Sequence, residues 1–401
     1  MKKMFAMRIL PLLLALCLLS LASLSANAEE IVPIMEGEKL LSDLGVAEGS
    51  LELNCKSAIL MEATTGAVLY LQNCDEALPP ASVTKIMTLL LVMEAVDAGI
   101  AHMDSIVTVS ANAASMGGSQ VYLKEGEQMT LEDLLKSVVI ASANDAAVAL
   151  AEFVAGSVSS FVERMNQRAA ELGMTNTRFE NVTGLDDTAT VHLTSARDIA
   201  QMSRALIAHE EILKYSSIWQ DSIREGAFGL TNTNRLVRFY RGCTGLKTGS
   251  TAKAGFCVSV TAEREGLSLV CVVMGAESRD VRNAIASELL DWGFANYGLY
   301  CAEGGSAGDV KAEGGVQASC VTAYPSFCCV LPKASIAGVE TRLSLPTTVT
   351  APVKAGDCIG KLEYLSGGAV IGEVPITAAY DIARIGFFDV VIRMLAKLLL
   401  I

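Results

Sequence analysis

The chain has 401 residues, 51% of them hydrophobic and 19% charged, with a formal net charge of −13. That length and apolar content fill one large core or two smaller ones, which excludes a small disulfide-stapled scaffold. An acidic balance with no basic cluster to interrupt it excludes nucleic acid as a partner.

At the N-terminus, Lys2, Lys3 and Arg8 precede an almost unbroken apolar run from Ile9 to Leu24, and Ala26-Asn27-Ala28 follows. A positive region, an apolar stretch and a small-x-small site make residues 1–28 an export signal that is cleaved. The alternative is a short helix that stays in the membrane, but the run is shorter than the roughly 20 residues a span requires. Cys17 lies inside this segment behind Leu16, which is too large for a lipoprotein processing site. Loss of the segment moves the formal charge from −13 to −16 and leaves ten of the 11 cysteines. An even count outside the cytoplasm permits disulfides. Cys257 and Cys271 sit in apolar, strand-like runs and read as buried free thiols. With no CxxC and only His102, His192 and His209, far apart, no metal site is expected.

Residues 57–70 read as a hairpin turning near Thr64-Thr65-Gly66. Pro79-Pro80 precedes a helix from Ser82 to Ala98, closed by Gly99; Ile86 to Met93 is apolar apart from Thr88, so this helix is buried on most sides. A second helix opens at Thr130, with Asp133 completing a capping box, and stops near Ser142. Helical patterns continue at Ala146–Val154, Ser159–Leu172 and Thr194–Ile207. Gly245–Gly249, Gly255–Ala262 and Leu267–Met274 read as an antiparallel meander, and Asp280–Tyr297 as a closing helix. The fold class is therefore α+β. An antiparallel sheet of about five strands carries packed helices, and a helical insertion separates its early and late strands. From about residue 305, short alternating runs rich in Gly, Val, Thr and Pro indicate a small all-β domain. In the tail, Phe387 to Ile401, the charges Asp389, Arg393 and Lys397 fall at i, i+4 and i+8 on one stripe of an otherwise apolar helix. This favours an amphipathic helix lying on a membrane surface over a half-buried core helix. The expected organisation is 1–28 signal, 29–304 catalytic domain, 305–378 β-rich domain and 379–401 membrane-associating helix.

Three short motifs carry chemistry. Ser82-Val83-Thr84-Lys85 places a serine and a lysine on one helix face, where a neutral Lys85 can take the hydroxyl proton. Alone it means little, since SxxK arises about once by chance in such a chain. Ser142-Ala143-Asn144 falls at a helix break; its serine can relay a proton and its asparagine can hold a substrate amide, although a plain helix-helix turn has the same appearance. Lys247-Thr248-Gly249 lies on a strand, where a lysine and a hydroxyl can grip a carboxylate, or where a lysine simply guards a sheet edge. Their conjunction, in the order helix start, helix break and strand, is the signature of penicillin-binding proteins and class A β-lactamases.

Residues from about Ser57 to Tyr297 resemble the low-molecular-weight penicillin-binding proteins that act as serine-type D-alanyl-D-alanine carboxypeptidases. The resemblance rests on Pro80-Ala-Ser-Val-Thr-Lys-Ile-Met87, Ser142-Ala-Asn-Asp-Ala-Ala147, Glu171-Leu-Gly-Met-Thr-Asn176, Asn181-Val-Thr-Gly-Leu-Asp186, His192-Leu-Thr-Ser-Ala-Arg-Asp198 and Gly245-Leu-Lys-Thr-Gly249. It implies that Ser82 attacks the penultimate D-Ala carbonyl of a peptidoglycan stem peptide while Lys85 acts as base. Ser142 would pass a proton to the leaving amine beside Lys247, and Asn144 would hold the substrate amide. Thr248 and Arg282 would bind the terminal carboxylate, with Arg279 the alternative to Arg282. Backbone N–H groups of Ser82 and of Ser250, which follows Gly249, would form the oxyanion hole. Relatives carry histidine or threonine where this chain has Ser250, which bears on substrate preference. β-Lactams are implied as acylating inhibitors, no cofactor is implied, and the enzyme would work at the outer face of the cytoplasmic membrane. A β-lactamase is the first alternative, but Glu180-Asn181-Val182-Thr183-Gly184 does not match the ExxLN loop that supplies its water-activating base. A non-catalytic binder of wall peptides or β-lactams is the second; it need not keep Ser82, Lys85, Ser142 and Lys247 together.

Overall fold

The computed structural model describes residues 51, 53–186 and 190–398. The expected export signal at residues 1–28 and the last three residues of the tail lie outside the described residues. Strands β1 (Ser57–Glu62) and β2 (Val68–Gln72) form the expected hairpin. Strands β3 (Cys243–Thr251), β4 (Gly255–Arg264) and β5 (Leu267–Ala276) form the meander. All five make one antiparallel sheet in the order β2-β1-β5-β4-β3, because β1 adds to the far edge of the meander with Ile59 opposite Val272.

Both faces of this sheet are covered. Ile59, Met61, Val270, Val272 and Met274 pack into the core under the helical layer, while Ala58, Leu60, Leu269, Cys271 and Val273 face the opposite core. Burial on both sides is why these strands are apolar throughout instead of alternating with polar residues. Cys257 and Cys271 are buried free thiols, as their surroundings suggest.

The helical layer consists of α1 (Lys85–Asp97), α2 (Leu131–Ala141), α3 (Asn144–Ala155), α4 (Val158–Glu171) and α5 (Ala196–Ile207). The first turn differs from the expected continuous helix: Ala81–Thr84 is a 3-10 turn, held by Val83 N–H donating to Pro80 O at 3.2 Å. Helix α1 is then buried on nearly every side, from Lys85 to Ala95. At Thr130, the hydroxyl accepts from Asp133 N–H at 3.1 Å and starts α2. Two small two-stranded sheets, Ile106–Thr108 with Gln128–Thr130 and Gln220–Ile223 with Phe228–Thr231, are too short to show a periodicity in sequence. Helix α6 (Arg279–Asn296) covers the other face of the sheet through Ile285, Ala286, Leu289 and Leu290.

Strand β6 (Tyr297–Ala302) runs directly on from α6 and pairs with β7 (Phe327–Pro332), where Cys301 and Cys328 stand opposite each other in a disulfide. A six-stranded sheet completes the β domain, in the spatial order Val339–Ser344, Cys358–Ser366, Ala369–Ala378, Ser319–Ala323, Asp309–Glu313 and Thr348–Thr350. It closes over two small cores, one around Tyr364 and Ile376 and one around Val310 and Cys320. Helix α7 (Phe387–Leu398) ends the described chain.

Candidate active site

Ser82 lies on the 3-10 turn and Lys85 opens α1. Residues three apart are eclipsed in a 3-10 turn, and here Lys85 Nζ is 2.8 Å from Ser82 Oγ. The same amine donates to Thr183 O at 2.9 Å. Burial first, and then the positive charge of Lys247, hold Lys85 well below the usual lysine range against an upward pull from Asp145. A neutral amine has two protons and one lone pair. With one proton committed to Thr183 O, the lone pair can face the Ser82 hydroxyl.

A second serine–lysine couple faces the first. Ser142 ends α2 in the left-handed region, at φ 62°, which turns its side chain out of the helix. Lys247 Nζ donates to Ser142 Oγ at 2.8 Å and to Thr248 O at 3.1 Å. Lys247 is buried on β3; burial, and next the charge of Arg282, bring it from 10.5 to about 7. Asn144 opens α3. Its backbone N–H donates to Ser119 O and its Nδ2 to Gly117 O, both at 2.7 Å. Its Oδ1 is buried with no partner among the described residues, an acceptor awaiting a donor.

Gly249 brings the two halves together. A Cβ at this position would stand 2.8 Å from Pro80 O and Ser82 N and 2.9 Å from Val83 N, so only glycine lets β3 run against the nucleophile turn. Thr248 Oγ1 donates to Thr233 Oγ1 at 2.8 Å. Ser82, Ser142, Thr248, Gly249, Ser250 and Arg282 line one cavity of about 650 Å³. The guanidinium of Arg282 donates to Cys257 O at 3.3 Å and to Asn283 Oδ1 at 2.9 and 3.1 Å, and burial, with Arg279 next, brings it down to about 10. Arg279 lines the same cavity but is exposed.

Several supports have no motif of their own. Thr88 Oγ1 donates to Val182 O at 2.7 Å, and Gly184, at φ +82°, lies where a Cβ would meet Ala81 O, so the Asn181–Gly184 loop is clipped under the nucleophile turn. His192 Nδ1 accepts from Glu180 N–H at 3.0 Å, so Nε2–H donates to Thr84 Oγ1 at 2.8 Å, and burial takes His192 down to about 4. Asp145 accepts from the N–H groups of Val121 and Leu123 and secures the loop that meets Asn144. The Glu180 carboxylate accepts from Thr190 and Val191 N–H, and no carboxylate is among the described residues lining the cavity. Among the described residues no cluster suits a metal ion.

This fold, with a buried lysine behind each of two facing serines, is that of the penicillin-binding serine acyl-transfer enzymes. The chain belongs to the D-alanyl-D-alanine carboxypeptidase family, which matches residues 45–278, and residues 304–384 match the C-terminal domain of penicillin-binding protein 5. It is 39% identical over 350 residues to D-alanyl-D-alanine carboxypeptidase DacF of Bacillus subtilis, spanning 86% of this chain and 90% of that protein. It is 33% identical over 356 residues to DacC of Escherichia coli, spanning 84% and 86%. Penicillin-binding protein 5 of Haemophilus influenzae superposes with a TM-score of 0.76 at 29% identity, covering 84% of this chain and 99% of that one. Penicillin-binding protein D2 of Listeria monocytogenes, solved with ampicillin bound, gives 0.57 at 32% identity, covering 61% and 100%.

Proposed function

We propose that the protein hydrolyses the terminal D-Ala-D-Ala bond of peptidoglycan stem peptides through an acyl-enzyme on Ser82. The observation that carries this reading is the 2.8 Å contact between Ser82 Oγ and the buried, low-pKa Lys85 amine. Lys85 takes the hydroxyl proton as Ser82 adds to the penultimate carbonyl, and the oxyanion lies against the N–H groups of Ser82 and Ser250, each worth about 3 kcal/mol in such sites. Lys247 and Ser142 deliver a proton to the departing amine, and Asn144 Oδ1 accepts from the substrate amide. Thr248 and Arg282 bind the released residue's carboxylate. Water then cleaves the ester, returning Ser82. A β-lactam enters the same sequence and is left as an ester on Ser82.

Residues 1–28 act as a cleaved export signal, with the catalytic domain at 29–304, the β domain at 305–378 and a membrane-associating segment at 379–401. The protein works at the outer face of the cytoplasmic membrane. Support for attachment comes from α7, where Phe387, Phe388 and Leu398 are 78%, 79% and 81% exposed, an apolar surface that a membrane interface would cover. No single described helix is long and apolar enough to cross a membrane.

A peptide ending in D-Ala-D-Ala releases free D-Ala, and S82A abolishes both that release and labelling by a fluorescent penicillin; label retained by S82A would assign another nucleophile. Fast turnover of benzylpenicillin without D-Ala release would favour a β-lactamase instead. Deletion of residues 387–401 releases the protein from membranes, and unchanged sedimentation would refute the anchor.

A further inference from the structure

Asn144 is seated by irregular backbone. In the 117–127 segment, Gly117 O and Ser119 O accept from Asn144, and a Cβ on Gly118 would stand 2.7 Å from Asn144 Nδ2. Neither strand nor helix sets the course of this segment, so side chains must fix it. Asp145 takes its N–H side, at Val121 and Leu123. Arg224 takes its carbonyl side: Nη1 donates to Val121 O at 2.9 Å and Nη2 to Tyr122 O at 3.4 Å. Between these two clamps Tyr122 is held at φ 58° although it is 66% exposed, a conformation that tyrosine keeps only where its neighbours impose it.

The rest of the guanidinium closes on Glu127, Nε to Oε1 at 2.7 Å and Nη2 to Oε2 at 3.2 Å, and holds that carboxyl below its ordinary range. Arg224 stands at the tip of the 220–231 ribbon, itself at φ 53°, with its guanidinium 5.4 Å from the centre of the Phe228 ring. The same ribbon runs on to Thr233, whose N–H donates to Ile140 O in the last turn of α2 and whose hydroxyl accepts from Thr248. Arg224 thus ties the segment that seats Asn144 to the segment that meets Thr248. It is not among the described residues lining the cavity, so it acts through others.

We propose that Arg224 is a positioning residue for amide recognition: by fixing the carbonyls of Val121 and Tyr122 it holds Asn144 Oδ1 where the substrate amide N–H arrives. The inference rests on the acyl-enzyme reading, in which Asn144 accepts from that amide, and adds the residue that keeps it in place. Loss of the planar fork frees Tyr122 to return to an ordinary φ. The segment then shifts, and Asn144 follows through its contacts with Gly117 and Ser119. A lysine keeps the charge but cannot serve two carbonyls and a carboxylate at once.

The full-length protein is acylated with benzylpenicillin, which carries an acylamino arm, and with penicillanic acid, which has none. The ratio of the two second-order rates reports the amide contact, since a general loss of structure slows both. R224Q lowers that ratio about tenfold, as the loss of one hydrogen bond does, and lowers kcat/KM for D-Ala release by a similar factor. R224K gives an intermediate ratio. N144A lowers the ratio as R224Q does, and R224Q/N144A lowers it no further, because both act on one contact. Equal slowing of both penicillins, an unchanged ratio, or effects that add in the double variant would overturn the assignment. If circular dichroism shows R224Q unfolded, R224K and E127Q carry the test, and a wild-type ratio in both would overturn it. Wild-type protein that is acylated by penicillin yet releases no D-Ala would remove the carboxypeptidase reading and leave the positioning role standing on the penicillin ratio.

Discussion

Gly249→Ala isolates the contact on which the two halves of the site depend. Its backbone does not lie at positive φ, so alanine meets no conformational penalty there and the effect is steric. The added methyl would sit 2.8 Å from Pro80 O and Ser82 N, where ordinary contact begins near 3.4 Å, and all the atoms it meets are backbone. Strand β3 or the nucleophile turn must therefore retreat by about 0.6 Å, and displacement of reacting groups by about 1 Å costs on the order of 100-fold in rate. The retreat also weakens the proposed oxyanion donors at Ser82 and Ser250, each worth about 3 kcal/mol in such sites. Acylation of G249A by a fluorescent penicillin, followed by stopped flow, should fall about 10- to 100-fold, while circular dichroism shows a folded protein with a modestly lower Tm. A folded G249A that acylates at the wild-type rate would refute the idea that this close approach sets the geometry of the oxyanion site.

Three further outcomes are expected. Lys247 is brought from 10.5 to about 7, so within that window the unfolded chain binds more protons there and the folded state loses stability as pH falls. K247M should thus gain stability over wild type at pH 7 relative to pH 10.5, by a few kcal/mol, while acylation collapses; urea unfolding showing the same difference at both pH values would contradict this. His192 titrates at about 4 against an ordinary 6.5, so stability falls as pH drops through that interval by roughly 2–3 kcal/mol, and H192Q should flatten the loss in urea melts. The Cys301–Cys328 bridge closes a span of 27 residues, worth about 3–4 kcal/mol by loop entropy. C301A/C328A should lower the Tm of the β domain and leave penicillin labelling of Ser82 intact, whereas an unchanged melt would mean that strand pairing alone holds β6 to β7.

Much of the architecture was legible because burial leaves marks in local composition. The apolar runs at Gly255–Ala262 and Leu267–Met274 announced central strands, and Thr130 with Asp133 announced a helix start. The pairing of β1 with β5 left no such mark, since contacts between distant segments depend on which edge is free. The three motifs placed Ser82, Ser142 and Lys247 on the correct local structures. The 3-10 turn at Ala81–Thr84 is indistinguishable from an α-helix in sequence, because SxxK spacing fits either geometry. Thr183 and Asp145 work through backbone groups, which every residue possesses, so their roles had no sequence pattern. His192-Leu-Thr was visible only as part of a resemblance; its tautomer and its link to Thr84 required the fold.

The pairing of β1 with β5 also constrains how the protein reaches its folded state. A chain that emerges N-terminus first presents Ser57–Glu62, apolar on both faces, about 200 residues before Leu267–Ala276 arrives to cover its open edge. Through that interval the hairpin offers an unpaired, sticky template to any neighbouring chain. Yield in the cell should therefore depend less on the stability of the finished protein than on how well that early strand is kept from the wrong company.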